Sequence, residues 1–130
     1  MPRRKTELTE AEWTIIKAVW QKEPVTTPEI QEKLRRQTQW TYSTVRTLMD
    51  RMVAKGLLTA AKLRNLTLYR SAVTRPQAQR QELLYAMKHA FNGALSPMVQ
   101  FLLETNELSL KDLEEIEALI RQKKKKSGAK

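Results

Sequence analysis

Ser43, Thr44, Arg46, Thr47 and Arg51 place three hydroxyls and two guanidinium groups within nine residues of a 130-residue chain. Such groups donate and accept hydrogen bonds and carry fixed positive charge, but a hydroxyl attacks nothing without a base to activate it. No such base is at hand. His89 is the single histidine, cysteine is absent, and 3 glycines are too few for a phosphate-cradling loop. The carboxylates mostly lie scattered over helix surfaces, so no catalytic set can be assembled, and a lone histidine among them is not a metal site. The chemistry open to the 43–51 cluster is recognition of a polar, anionic surface. Neither an enzyme nor a bound cofactor is expected.

The element that must carry this cluster is a helix, expected from about Thr41 to Lys55. Val45, Leu48, Met49, Met52 and Val53 recur at i, i+3, i+4, i+7 and i+8, the signature of one buried stripe. The cluster, with Asp50, falls on the opposite face, and Gly56 suits the left-handed position that closes a helix. Upstream, Thr9-Glu10-Ala11-Glu12 has the form of a capping box and opens a helix with Trp13, Ile15, Ile16, Val19 and Trp20 on its apolar face. That placement makes the tryptophans core residues rather than base-stacking platforms. Pro24 ends this helix; Thr27 as N-cap and Pro28 at the first helical position begin a short second one, with Ile30 and Leu34 inward.

Downstream, Leu57-Leu58-Thr59 and Thr67-Leu68-Tyr69-Arg70 read as short strands, with residues 60–66 as the connection and Asn65 as its turn residue. Three helices followed by a basic two-stranded hairpin is the winged helix-turn-helix layout, with a wing over about 57–70. Lys62, Arg64 and Arg70 on that wing can each neutralise a phosphate.

Charge follows the same division. Lys and Arg total 24 against 14 Asp and Glu, a net charge of +10. Residues 1–74 hold 14 basic and 7 acidic side chains, residues 75–120 hold 4 and 7, and residues 121–130 hold 6 basic and none acidic. A basic front half points to a polyanion, and small hydroxyls with arginine on a well-anchored helix suit the DNA major groove. The N-terminal Met1-Pro2-Arg3-Arg4-Lys5 leads into polar residues with no apolar segment of the signal-peptide type, and no apolar run reaches the length of a membrane span. With cysteine absent, a cytoplasmic protein is the expectation.

The remainder reads as three helices. Gln77 to Phe91 carries Leu83, Leu84, Met87, Ala90 and Phe91; Asn92-Gly93 breaks it; Ser96-Pro97 opens a second helix bearing Met98, Val99, Phe101, Leu102 and Leu103. Ser109, with Asp112 three residues on, caps a third bearing Leu110, Leu113, Ile116, Leu119 and Ile120. Fewer than 50 residues of short helices cannot bury this much apolar surface alone. Pairing with a second chain through a large interface is expected, because the polar Arg75–Gln81 stretch leads away from the wing. Residues 123–130 read as a disordered basic tail, which adds weak non-specific attraction to phosphate.

Leu8-Thr9-Glu10-Ala11-Glu12-Trp13, then Val19-Trp20, resembles the first helix of the penicillinase-repressor family (the BlaI, MecI and CopY types). Trp40 to Arg51 resembles its recognition helix, Lys55-Gly56-Leu57-Leu58 its exit into the wing, and Tyr69 its wing aromatic; the likeness runs over roughly residues 7–122. The resemblance implies a homodimeric transcriptional repressor, mainly α with a small β-hairpin wing, with a DNA-binding domain over 1–74 and a three-helix dimerisation domain over 75–122. By position it implies Ser43, Thr44, Arg46 and Thr47 as base-reading residues of a pseudo-palindromic operator, and Arg51, Lys62 and Arg64 as phosphate contacts. It implies a dimer interface built from Leu84, Met87, Phe91, Met98, Phe101, Leu102, Leu113, Ile116 and Ile120.

Two departures stand out. Copper-sensing members of the family carry a cysteine-rich tail, whereas this chain has no cysteine and ends in lysines. Members that respond to β-lactams are cleaved at an Asn–Phe bond, where this chain has Gln100–Phe101. Core packing is the expected role of that segment. The releasing signal, whether a signalling protease or a ligand, is not written in these residues. The rival reading is a generic basic nucleic-acid-binding or architectural module without operator specificity.

Overall fold

The computed structural model describes residues 7–128, so the basic Met1–Lys5 stretch and the last two residues of the basic tail lie outside the described residues. Two compact units divide the chain, one over residues 1–85 and the other over 86–130. The division between these units falls inside a helix, and the domain boundary expected at 74/75 lies at that helix's start.

In the first unit, α1 (Glu10–Gln21) starts at a true capping box: the Glu12 amide donates to the Thr9 hydroxyl, and the Thr9 amide donates back to the Glu12 carboxylate at 2.8 Å. α2 (Thr27–Lys33) is capped one residue earlier than expected. Thr26, not Thr27, is the N-cap, because Glu29 stands three residues after it and completes a second capping box. Thr27 is instead buried. The fade near Arg36 resolves into a separate turn, α3 (Arg35–Thr38), closed by Gln39 in the left-handed conformation at φ 58°.

α4 (Tyr42–Ala54) has Thr41 as N-cap and Lys55 as C-cap, and Gly56 follows at φ +82°. Val45, Met49 and Met52 are fully buried, with Leu48 and Val53 packed against them. β1 (Leu58–Leu63) and β2 (Leu66–Ser71) pair antiparallel in the register Leu58 with Ser71 through Leu63 with Leu66. Most of the stretch read as a connection is thus strand, and the turn is only Arg64-Asn65. The left-handed residue is Arg64, at φ 59°, rather than Asn65.

Val25 forms a bridge with Tyr69, amide to carbonyl at 3.0 and 2.8 Å, which ties the α1–α2 linker to the wing. The core of this unit gathers Leu8, Ile15, Ile16, Val19, Val25, Ile30, Leu34, Leu57, Leu58 and Tyr69 around the α4 stripe. Trp13, Trp20 and Trp40 pack on its rim. Each of the first two finds a partner for its indole N–H: Glu82 for Trp13, and the Ser71 hydroxyl and Val73 carbonyl for Trp20.

α5 (Arg75–Phe91) begins two residues before the expected start, and Ala78 is its one buried residue. Asn92 and Gly93 both take positive φ and end it. In the second unit, α6 (Leu95–Glu104) and α7 (Leu110–Gly128) contain no buried residue. Ser109 and Asp112 exchange the expected capping bonds, both at 3.0 Å. α7 continues to Gly128, so residues 123–128 are helical where the sequence reading has them without structure. Acidic residues in the first half of α7 and basic ones in the second complement the helix dipole at both ends and favour that extension.

Candidate nucleic-acid interface

The solvent face of α4 is built on rigid ground. Val45, Met49 and Met52 have no exposed surface, so the opposite face cannot roll without opening the core. Ser43, Thr44, Thr47 and Arg51 lie exposed on that face and Arg46 is half-exposed, as expected from the helical period. Thr44 is partly occupied: its amide donates to the Thr41 hydroxyl as the cap, and the two hydroxyls lie 3.1 Å apart. Lys62 on β1 and Arg64 in the turn are exposed on the wing. The structure thus places the five helix residues together and the two wing residues on the neighbouring hairpin.

Arg46 is not a free helix charge. Its Nε donates to both carboxylate oxygens of Asp50, at 3.3 and 3.1 Å, and its Nη1 reaches the Tyr42 hydroxyl at 3.5 Å. Asp50 in turn accepts from the Tyr69 hydroxyl at 2.9 Å. Tyr69 is buried, and its phenol is pushed up first by that burial and then by Asp50, so it stays a neutral donor through the physiological range. The Arg46 guanidinium is held still more firmly protonated, by the Tyr42 hydroxyl first and Asp50 second. A chain of hydrogen bonds therefore runs from the wing core, through Asp50, to the outer face of α4.

Tyr42 and the linking role of Asp50 escaped the reading by residue type. Their signal was the i, i+4, i+8 spacing of Tyr42, Arg46 and Asp50, which lines them along one side of the helix. A second missed feature lies at the exit of α4. Lys55 donates to both oxygens of Glu12, at 2.6 and 2.9 Å, and to the Glu7 carbonyl at 3.2 Å. This clamp fastens the C-terminal end of the helix to the start of α1.

Of the residues expected at an interface between copies, Leu84, Phe101, Leu102, Ile116 and Ile120 are exposed, and Met87, Phe91, Met98 and Leu113 are half-buried. Phe91 and Phe101 face each other at 6.0 Å, tilted by 46°. The Gln100–Phe101 bond lies within α6, where the Gln100 side chain donates to Glu104 at 3.3 Å. Among the described residues, no three His, Cys, Asp or Glu side chains gather as a metal site would need, and no helix is long and apolar enough to cross a membrane.

The sequence matches the family model described as penicillinase repressor over residues 8–122. It is 24% identical over 123 residues to the methicillin resistance regulatory protein MecI of Staphylococcus aureus, covering 95% of this chain and all of that one. The penicillinase repressor of Bacillus licheniformis is also 24% identical, over 91% of this chain and 92% of its own. Among solved structures, the DNA-binding domain of the repressor BlaI aligns with a TM-score of 0.50 and 22% identity, over 57% of this chain and 90% of that domain. That likeness shows a shared winged-helix fold.

Proposed function

The chain belongs to the penicillinase-repressor family, whose members are DNA-binding transcriptional repressors rather than enzymes, and on that premise we propose that it reads a pseudo-palindromic operator as a homodimer. The observation that carries the proposal is the outer face of α4. It presents Ser43, Thr44, Arg46 and Thr47 over Val45, Met49 and Met52, which have no exposed surface, a rigid reader of the size that a major groove admits. Arg51, Lys62 and Arg64 supply phosphate contacts that set the register. The dimer is formed by the second unit, whose apolar side chains stand open in the single chain. Gln100–Phe101 belongs to that interface, its backbone engaged in a helix. The cytoplasm is where such a protein meets its operator.

Incubating the protein with fragmented DNA from its source genome, at moderate salt, tests the proposal. A small set of recovered fragments sharing an inverted repeat, with half-sites about one helical turn apart, is the expected outcome. Uniform, salt-sensitive recovery of all fragments would overturn it in favour of a generic basic binder. The feature that favours this second reading is the cationic end of α7, Arg121 and Lys123–Lys126, all exposed.

A further inference from the structure

The geometry points to Asp50 and Tyr69 as positioning residues that aim Arg46 at one guanine of each half-site, an inference resting on the reading role proposed above for α4. An arginine has five N–H donors in a planar fork, and which edge it offers depends on which edge is already engaged. Here the single Nε proton is spent on Asp50, and one proton of Nη1 lies towards Tyr42. The end of the fork, Nη2 with the remaining proton of Nη1, makes none of these bonds, and the side chain is 38% exposed. Two parallel N–H groups at this end match the O6 and N7 acceptors of guanine, which no other base offers as a pair.

The carboxylate that imposes this choice is itself fixed. Tyr69 is wholly buried, its backbone is bridged to Val25, and its hydroxyl holds Asp50 at 2.9 Å. Arg46 is thereby indexed to the core through two hydrogen bonds rather than left to search its rotamers. Ordering a side chain before binding lowers the cost of docking it and narrows what it can bind. A bare carboxylate on a face turned towards phosphates is otherwise unfavourable, so Asp50 on this helix face calls for such a compensating role.

The test is selection of bound duplexes from a library with randomised half-sites, using the full-length protein, with folding of each variant checked by circular dichroism. Arg46→Ala should erase the preference at one G·C pair. Asp50→Asn and Tyr69→Phe should each weaken preference at that same pair about 5–10-fold while leaving other positions unchanged. On a duplex of random sequence, Asp50→Asn should bind more tightly because a negative charge is gone, whereas Tyr69→Phe should bind as before. The inference is overturned if both variants keep full preference at the pair that Arg46 governs, or weaken all positions alike. If Arg46→Ala alters no base preference, the reading role of α4 itself falls, and this inference with it.

Discussion

At the scale of single residues, the first unit is constrained by the ion pair between Lys55 and Glu12. The Glu12 side chain is 7% exposed and that of Lys55 is 27%, so the pair sits at the edge of the core rather than on the surface. Removing the cation leaves a carboxylate that is desolvated and only partly satisfied by Thr9. Lys55→Met should therefore cost about 2–3 kcal/mol, less than a fully buried pair because Lys55 keeps some solvent. Urea unfolding checks this, and Glu12→Gln with Lys55→Met should lose less than the two single changes summed. Arg46 answers to a different measurement. Arg46→Ala should lose roughly 1–3 kcal/mol of discrimination between operator and random DNA, whereas an equal loss on both would make it a phosphate contact only. The type and face of these residues were legible in the sequence, as was the capping box of Thr9 and Glu12; the pairing of Glu12 with Lys55 was not. Glu12 and Lys55 are 43 positions apart, and only folding brings them within hydrogen-bond reach.

At the scale of elements, helix periodicity located α4 almost to the residue, because buried stripe and closing glycine agreed. The wing was harder. Its far half has no buried side chain, so nothing alternates between core and solvent to mark the strands. The residue that the turn forces to φ 59° is Arg64, a side chain that gains nothing from that conformation. Arg64→Gly should thus raise stability by about 0.5–1 kcal/mol, since a two-residue hairpin turn favours glycine where φ is positive. The same change should lower the salt dependence of DNA binding by about one phosphate, read as the slope of log K against log salt. If stability rises and the slope stays, the wing tip does not touch the backbone.

The helix caps carry the pH response of these elements. The Thr26 backbone N–H, then its hydroxyl, holds the Glu29 carboxyl below the ordinary carboxylate range. A folded-state pKa below the unfolded one means stabilisation that is complete at neutral pH and is lost as pH falls through the folded value. Glu29→Gln should accordingly be less stable than the parent chain at pH 7, and should lose less of its stability on acidification to pH ~3. Urea midpoints at the two pH values decide it; equal losses in both proteins would show that the cap charge contributes nothing.

At the scale of the whole molecule, the two units differ in kind. The first closes its own core, whereas no described residue of the second is buried. Phe101 is 58% exposed and Leu110 is 73% exposed. Side chains of this size each gain about 1.5–3 kcal/mol from full burial, and helices that leave them in water have no reason to hold their arrangement. The apolar residues of α6 and α7 were legible from spacing alone, but spacing does not say what covers them. A second copy is the occupant that fits the proposed reading of a two-fold operator. Phe101→Glu places a charge in that surface, where desolvating an unpaired carboxylate opposes association. The variant should sediment at the chain mass of 15.2 kDa, where the parent protein should run at twice that value. Its first unit keeps an intact core and an unaltered α4 face, so a half-site should still be bound. What disappears is the linkage of two half-sites, and affinity for the full operator should fall about 10²–10⁴-fold. A variant that is monomeric yet holds the full operator as tightly as before would mean that the protomers read their half-sites independently, and that the second unit serves another partner.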